Sequence, residues 1–189
     1  MIALVGGSLA FGAHSFDADV DEHRPGARTR RILKPGAVAG AAPTLLGIAG
    51  LTYVVGASRQ QPRAAHLGAD LLAAVVVSEG VGQLVKAGAR RERPDHSDKK
   101  SFPSGHAANS FAFATVLQRR LGWRAGAPAY AFSSYVAASR LSANRHWLSD
   151  VVFGSAVGVI AGRAATWHGR ALPVTVIPEP RAVHLVVAW

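Results

Sequence analysis

Long apolar runs separated by short polar segments dominate this chain. Six runs have the length of helices, and they cover residues 1–13, 37–58, 64–89, 104–120, 125–139 and 147–167. The pattern predicts an all-α protein, a helical bundle of about five to six helices. The run 37–58 contains 22 residues without a formal charge between Lys34 and Arg59, which makes it the best transmembrane candidate. A buried core helix is the alternative for this run.

Small and polar residues inside the apolar runs indicate how the helices pack. Pro43 is expected to kink or start its helix, because proline disrupts a helix interior. Asp70 and Glu79 interrupt the second long run, and acidic residues in such a setting normally face a bundle interior or a polar cavity. In the last run, a small-xxx-small series on one face favours close helix packing: the glycines at 154, 158 and 162.

The two ends of the chain differ from its middle. Residues 1–13 are apolar but too short to span a bilayer alone and lack the positive n-region of a secretory signal, so we interpret them as a trimmed first helix. Residues 14–35 are interpreted as an interfacial loop with one short helix and a solvated charged face. Residues 173–189 contain two β-branched runs interrupted by Pro178-Glu179-Pro180, which predict a small hairpin or an irregular tail.

These differences divide the chain into three parts. Residues 1–36 are the N-terminal apolar segment and interfacial loop, residues 37–170 are the helical bundle, and residues 171–189 are the C-terminal tail. No Gly/Pro/Ser-rich linker divides the bundle, so we expect it to be a single domain.

Composition and charge narrow the function classes. Hydrophobic residues make up 49% of the chain and charged residues 17%, with a mean hydropathy of +0.18, which is apolar for a soluble protein yet modest for a multi-pass membrane protein. The net charge of +10 and the pI near 11.2 favour anionic partners. Nucleic acid is not the expected partner, because the basic residues form short clusters rather than a stripe with interleaved aromatics. The absence of cysteine excludes disulfides and thiol nucleophiles.

A histidine and a carboxylate lie four residues apart at the start of the last run, His146 and Asp150. On a helix they would share a face, so Asp150 could accept the Nδ1 proton of His146 and leave Nε2 as a lone pair able to attack an electrophile. Arg140, six residues upstream, suits an anionic electrophile such as phosphate. A helical histidine beside a carboxylate is commonly structural, so this pair alone is weak evidence of function.

Two further segments complete a three-part pattern. Residues 86–94 (KAGARRERP) contain a lysine and an arginine-proline pair separated by six residues, and residues 103–106 (PSGH) open the next apolar run. Together with residues 139–150 they read KxxxxxxRP, PSGH and SRxxxxxHxxxD, with all eleven fixed positions present and in order. This three-part pattern is far more specific than a single short motif. By these residues the chain resembles the type 2 phosphatidic acid phosphatase family. The wider superfamily includes bacterial class A acid phosphatases and vanadium haloperoxidases.

The resemblance implies a phosphoryl-transfer site and a role for each functional position. By the family's pattern, His146 attacks phosphorus to form a phosphohistidine, His106 protonates the leaving group, and Asp150 orients His146. The same pattern implies five phosphate-binding residues: Lys86, Arg93, Ser104, Gly105 and Arg140. No metal or other cofactor is expected, because three cations and a helix N-terminus supply the positive charge.

Alternating helix directions are expected to bring these residues to one end of a four-helix motif core. Ser104 is predicted to cap the helix that follows it, so that free N–H groups face a bound anion. Glu79 either orients Lys86 or bonds to a neighbouring helix, and we keep it out of the site. Three nearby arginines are interpreted as surface ion pairs or as residues that attract anions: Arg90, Arg91 and Arg145. If the family's usual orientation holds, the active end faces the extracytoplasmic side of the membrane.

Several functions remain open at this point. The leading one is an integral membrane phosphatase acting on a lipid phosphate, such as phosphatidic acid, phosphatidylglycerol phosphate or a polyprenyl diphosphate. Core helices of about 15–18 residues are barely long enough to span a bilayer of about 30 Å. A soluble acid phosphatase is therefore the first alternative. A vanadate-dependent haloperoxidase, with His146 on vanadate, ranks lower because known haloperoxidases of this superfamily are much longer chains. An inactive membrane scaffold conflicts with the presence of every catalytic position.

Overall fold

The computed structural model describes residues 2–23, 25–167, 174–179 and 182–187. Six helices in this part of the chain are 13 to 28 residues long, and three are shorter. In order, the elements are α1 (Ile2–His14), α2 (Asp17–Glu22), α3 (Ala27–Leu33), α4 (Gly36–Ala39), α5 (Ala42–Ser58), α6 (Pro62–Ala89), α7 (Gly105–Leu121), α8 (Trp123–Ser142), α9 (Leu148–Ala165), β1 (Val174–Glu179) and β2 (Ala182–Val187). The predicted helical bundle is therefore confirmed.

Helices α7 and α9 pack against each other through their backbones. A Cβ atom added to any of three glycines of α9 would lie less than 3.0 Å from a carbonyl oxygen of α7 or of its N-cap residue. The pairs are Gly154 with Ser104, Gly158 with Ala108, and Gly162 with Ala112. The predicted small-xxx-small series is thus the seam between these two helices. Residue numbers rise together along both helices, so the helices run in the same direction and their N-termini lie at the same end of the bundle.

We expect Gly158→Ala to lower the thermal stability of the protein. The added methyl group meets the α7 backbone, and overpacking of this kind costs about 1–3 kcal/mol. Gly80→Ala on α6 is the matched control, because a Cβ at Gly80 has no atom within 4 Å. The control should be neutral or stabilise by up to about 1 kcal/mol through helix propensity. Thermal unfolding in detergent measures both, and equal melting temperatures for the two variants would contradict the prediction.

Two helices of the described chain are long and apolar enough to cross a membrane, Pro62–Ala89 and Leu148–Ala165. A third span results if the bent pair Ala27–Ala39 and Ala42–Ser58, which meet at 53°, counts as one.

The apolar run 37–58 is divided between two helices, because α4 ends at Ala39 and α5 begins at Ala42. Pro43 lies in the first turn of α5, where the missing N–H has no cost, whereas a continuous helix would bring its ring against the carbonyl of Ala39. Of the two roles expected for Pro43, starting the helix is the one the structure has.

The N-terminal helices pack on the bundle. Helix α1 lies along α9, with Gly6 facing Ala156, and α2 contacts the N-terminal end of α9. The interpretation of residues 14–35 as a solvated loop is wrong at Asp17, which is only 5% exposed and accepts the backbone N–H of Ser149 at 2.9 Å. The charged residues of α3 are exposed, as predicted.

Strands β1 and β2 form an antiparallel hairpin, with Val174 opposite Val187 and Glu179 opposite Ala182. Of the two predictions for the C-terminal tail, the hairpin is therefore confirmed. Residues 168–173, 180–181 and 188–189, which belong to that tail and its approach, lie outside the described residues. We propose the division into residues 1–36, 37–170 and 171–189 for the chain as a whole, with the first part packed against the second.

Candidate active site

The three sequence motifs meet at one end of the bundle. Helix α6 ends and helices α7 and α9 begin at this end, and the segments 90–104 and 143–147 cross it. Hydrogen bonds across motifs join Lys86 to the carbonyl of Pro103, Arg93 to His146, and Ser104 to Asp150. The motif residues that are far apart in the sequence are therefore neighbours in the structure.

His146 lies in the segment between α8 and α9, and it is 5% exposed. Its Nδ1 lies 2.7 Å from the carbonyl oxygen of Ser101, so this nitrogen carries the proton and donates it. The other nitrogen, Nε2, is then a lone pair, and Nη1 of Arg93 lies 3.2 Å from it. The arrangement presents a neutral imidazole whose Nε2 lone pair accepts a hydrogen bond from a cation.

Asp150 is fully buried, but the hydrogen bond predicted between it and His146 is not formed. Trp147 is the N-cap of α9, so His146 precedes the helix, and Asp150 accepts the Trp147 N–H at 2.9 Å. Its Oδ2 also accepts the hydroxyl of Ser101 and lies 3.7 Å from Nδ1 of His146, beyond hydrogen-bonding distance. The two residues therefore do not share a helical face. The predicted tautomer is the one present, and Asp150 acts on His146 through its charge.

Two of the predicted phosphate-binding cations are tied to the loop that crosses the site. Arg93 donates through Nε to Oδ1 of Asp98 at 2.8 Å and through Nη1 to the carbonyl of Arg145 at 2.6 Å. Lys86 donates through Nζ to the carbonyl oxygens of Pro103 and, at 3.3 Å, Lys100. These contacts hold both cations beside His146.

The third cation, Arg140, is buried in the last turn of α8 with 8% of its surface exposed. Within the described residues, its Nε has no hydrogen-bond partner. It is also close enough to Arg93 and Arg145 to feel their positive charge. A buried guanidinium donor without a partner is costly, and an anion is the group that satisfies it best.

The first turn of α7 contains the remaining motif residues. Ser104 is the N-cap, as predicted, since its hydroxyl accepts the Ala107 N–H and its own N–H donates to the carbonyl of Asp150 at 3.0 Å. Gly105 is half-buried at the start of the helix, where backbone N–H groups favour an anion. His106 donates through Nε2 to the carbonyl oxygen of Ala37 at 2.9 Å, so α4 holds the proton of this histidine.

Sequence reasoning missed two residues of this end, Arg91 and Asp17. Arg91 donates through Nη1 to Oδ1 of Asp150 and through Nη2 to Oδ2 of Asp17, both at 2.7 Å. Its interpretation as a surface ion pair is wrong, because both carboxylates are buried. No local pattern separates Asp17 from the other acids of its segment, since its burial depends on the docking of α2 against α9.

The surface ion pair expected of Arg145 is confirmed, and of the two roles considered for Glu79 the bond to a neighbouring helix is the one present. Arg145 forms a partly exposed ion pair with Asp95, at 3.0 Å. Glu79 accepts the side-chain amide of Asn109 on α7 at 2.7 Å, so it bonds to a neighbouring helix rather than to Lys86.

The electrostatics of the site favour the neutral form of His146. Burial lowers the pKa of His146 below its ordinary value of 6.5; the charges of Arg93 and Lys86 act in the same direction, and Asp150 opposes them. The imidazole of His146 therefore stays unprotonated in mildly acidic solution, with Nε2 available as a lone pair.

The fold and the site define a helical bundle with a buried histidine and a cluster of cations at one end. Residues 67–172, more than half of the chain, match the PAP2 superfamily. The chain belongs to this superfamily, which confirms the resemblance seen in its motifs.

Curated relatives match a central part of the chain. A lipid A 1-phosphatase of Porphyromonas gingivalis is 40% identical over 93 residues, 46% of this chain. A lipid A 4'-phosphatase of Helicobacter pylori is 33% identical over 75 residues, 38% of this chain. The match covers only 21% of the length of the first relative and 38% of the second.

Two solved structures share the fold. LpxE of Aquifex aeolicus has a TM-score of 0.67 and 19% identity, with 80% of this chain and 92% of that chain covered. The transmembrane PAP2-type phosphatidylglycerolphosphate phosphatase of Bacillus subtilis has a TM-score of 0.67 and 19% identity, with coverage of 86% and 90%. This fold, together with the apolar helices, identifies the chain as a membrane protein.

Proposed function

We propose that the protein is a lipid phosphate phosphatase that works without a metal and through a phosphohistidine on His146. The observation that carries the proposal is the buried guanidinium of Arg140, whose Nε has no partner in the described chain, beside the electrostatic cluster of Arg93 and Arg145. A phosphate group supplies the missing acceptor. The neutral Nε2 of His146, which Arg93 contacts at 3.2 Å, supplies the nucleophile.

Charge neutralisation is the first part of the proposed mechanism. Lys86, Arg93 and Arg140 bind the nonbridging phosphate oxygens, and the N-terminal turn of α7 at Ser104 and Gly105 completes the cradle. Arg93 must transfer its Nη1 hydrogen bond from His146 to a phosphate oxygen. That exchange frees the lone pair of Nε2 at the moment when the phosphate is in place.

Two displacements follow. In the first, Nε2 of His146 forms a bond to phosphorus while the bond from phosphorus to the leaving oxygen breaks. His106, which the negative charge of the bound phosphate helps to protonate on both ring nitrogens, gives its Nε2 proton to that oxygen and becomes neutral. The leaving oxygen takes the place of the Ala37 carbonyl as acceptor of the His106 proton. In the second, His106 removes a proton from water, which attacks phosphorus and releases His146. Asp150 balances the positive charge that develops on the His146 ring.

The substrate class proposed is a lipid with a phosphate ester, and the two curated relatives make lipid A the first candidate. An apolar groove of about 610 Å³ lies between α1, α8 and α9 and supports this choice. Its lining at the site end includes Leu141, Leu148 and Val151, close in sequence to Arg140, His146 and Asp150. Such a groove suits an acyl chain while the phosphate occupies the cationic end.

Phosphate release from protein purified in detergent tests this proposal. The substrates compared are lipid A, phosphatidic acid, phosphatidylglycerol phosphate, a polyprenyl diphosphate and a soluble aryl phosphate, each with and without EDTA. We expect EDTA-resistant turnover of a lipid substrate. Turnover of the aryl phosphate alone would favour a soluble-type acid phosphatase, and bromide oxidation with vanadate and peroxide in place of phosphate release would favour a haloperoxidase. Activity that EDTA abolishes would reject the metal-free mechanism.

The pH dependence of kcat/KM is expected to reflect the lowered pKa of His146. Protonation removes the lone pair of Nε2, so the rate falls as the pH drops through this pKa, and a lowered pKa moves the fall below pH 6.5. Asp98→Asn is a useful companion variant, because it removes the carboxylate that pairs with Arg93 and leaves His146 in place. An acid limb centred above pH 6.5 in the wild-type profile would contradict the prediction.

A further inference from the structure

Two buried carboxylates from distant parts of the chain share the guanidinium of Arg91. Nη1 lies 2.7 Å from Oδ1 of Asp150, and Nη2 lies 2.7 Å from Oδ2 of Asp17. The side chain of Asp17 is 6% exposed, that of Asp150 is 0% exposed, and that of Arg91 is 23% exposed. A guanidinium is planar, with its N–H groups in a fixed fork, so it sets the relative position of the two carboxylates that it binds.

Ser149 forms a second link between Arg91 and Asp17. Its hydroxyl accepts from Arg91 at 2.6 Å and donates to Oδ2 of Asp17 at 2.8 Å, while its backbone N–H donates to Oδ1 of Asp17 at 2.9 Å. The guanidinium of Arg91 also lies over the ring of Trp147, 5.4 Å from the centroid. The first turn of α9 is therefore fixed to α2 and to the loop that follows α6.

Arg91 helps to determine which way the Asp150 carboxylate faces. Oδ1 is bound to Arg91, and Oδ2 is bound to the Ser101 hydroxyl and the Trp147 N–H, which leaves Oδ2 3.7 Å from Nδ1 of His146. Removal of Arg91 would leave a buried carboxylate oxygen without its charged donor. The carboxylate could then turn towards Nδ1 and compete with the Ser101 carbonyl for the proton that orients the imidazole.

We infer that Asp17 and Arg91 are positioning residues, which act through Asp150 to hold His146 in the orientation required for attack on phosphorus. Neither residue is a fixed position of the three motifs, and neither touches the proposed phosphate cradle. This inference rests on the proposed function, because it concerns the geometry of the same nucleophile. The alternative is that Arg91 and the two carboxylates only fasten α2 to the bundle. In that case they affect stability and leave catalysis unchanged.

Steady-state kinetics of matched variants separates these roles. Arg91→Met is compared with Arg90→Met, which removes the neighbouring charge from an exposed side chain without touching Asp150. Asp17→Asn is compared with Asp19→Asn, an exposed acid on the same helix. We expect kcat to fall about 100-fold for Arg91→Met and about 10-fold for Asp17→Asn, with KM within about threefold, as for other supporting residues around reactive groups. Arg91→Lys should retain more activity than Arg91→Met, because it keeps a cation on Asp150.

Inhibition by orthovanadate is a second measurement on the same variants, because bound vanadate adopts the geometry of the phosphoryl-transfer transition state. We expect its inhibition constant to rise in proportion to the loss in kcat/KM for Arg91→Met and to stay unchanged for Arg90→Met. Wild-type kcat in Arg91→Met, or a loss that only follows a lower melting temperature, would overturn the inference.

A measurement that needs no activity separates this inference from the proposed function. The ring ¹⁵N resonances of His146 in histidine-labelled protein report its tautomer, and His146→Ala assigns them. We expect the Nδ1–H form in the wild type and in Arg90→Met, and a changed spectrum in Arg91→Met. If the wild-type protein releases no phosphate from any substrate, the proposed function fails. The positioning of His146 by Arg91 is then judged from the resonances alone, and unchanged resonances in Arg91→Met would reject it.

Discussion

Replacement of His146 by alanine is expected to lower phosphate release by at least about 1000-fold, as loss of a covalent nucleophile does in other enzymes. The imidazole is buried, its Nδ1 proton is held by the Ser101 carbonyl, and its Nε2 is the lone pair beside Arg93. No other described histidine has this arrangement. Initial rates with the preferred lipid, measured beside the melting temperature of each protein, provide the test.

His96 offers a matched control for this experiment. It is an exposed histidine of the same loop region, and its Nδ1 pairs with Glu92 at 2.8 Å rather than with the site. We expect His96→Ala to retain wild-type rates. If His146→Ala keeps more than about a tenth of the activity while folded, His146 is not the nucleophile.

Replacement of Arg140 by methionine is expected to lower activity and raise stability at the same time. Arg140 is a buried cation that lacks a partner for Nε within the described chain and lies near two other arginines, so its charge opposes folding. A bound phosphate uses the same charge, and loss of such a contact costs about 100- to 1000-fold in rate. We expect kcat/KM to fall by that factor while the melting temperature rises by about 2–4 °C.

Arg93→Met is the matched variant with the opposite effect on stability. Arg93 has protein partners in Asp98 and the Arg145 carbonyl, and its removal leaves them without their donor. Activity should fall in both variants, whereas the melting temperature should fall only for Arg93→Met. A lower melting temperature for Arg140→Met would contradict the prediction, because it would mean that Arg140 stabilises the fold rather than forming an anion site.

The sequence was sufficient to predict the bundle and the end of it where the motifs meet. Apolar runs mark the long helices, and the motif residues lie at helix ends that short connections bring together. Ser104 as N-cap and the glycine series on α9 were predictable because each depends on local rules, capping in the first case and close packing in the second.

Two features of the fold depend on a local signal that competes with a longer pattern. The run 37–58 is apolar throughout, but Pro43 begins a new helix and separates α4 from α5. The spacing of His146 and Asp150 suits one helical face, but Trp147 caps α9, so the histidine lies in the preceding segment. In that position the Ser101 carbonyl, 45 residues away in sequence, reaches Nδ1 first.

Asp17 and Arg91 could not be predicted from the sequence for a different reason. Arg91 lies in a charged stretch where Arg90 and Arg145 look equivalent to it, and only the fold shows that it reaches Asp150. Asp17 becomes buried because α1 lies along α9 and carries α2 to its N-terminal end. Both contacts form between segments that are far apart in the sequence. Neither the composition nor the periodicity of the sequence indicates such contacts.

The glycine seam between α7 and α9 has a consequence for a protein in a lipid bilayer. Bilayers vary in thickness and press laterally on their proteins, and helices separated by long side chains can yield through rotamer changes. At Gly154 and Gly158 no such layer exists, because main chain meets main chain. Ser104 and Asp150 are therefore held at a spacing that we expect to be insensitive to the lipid composition around the protein.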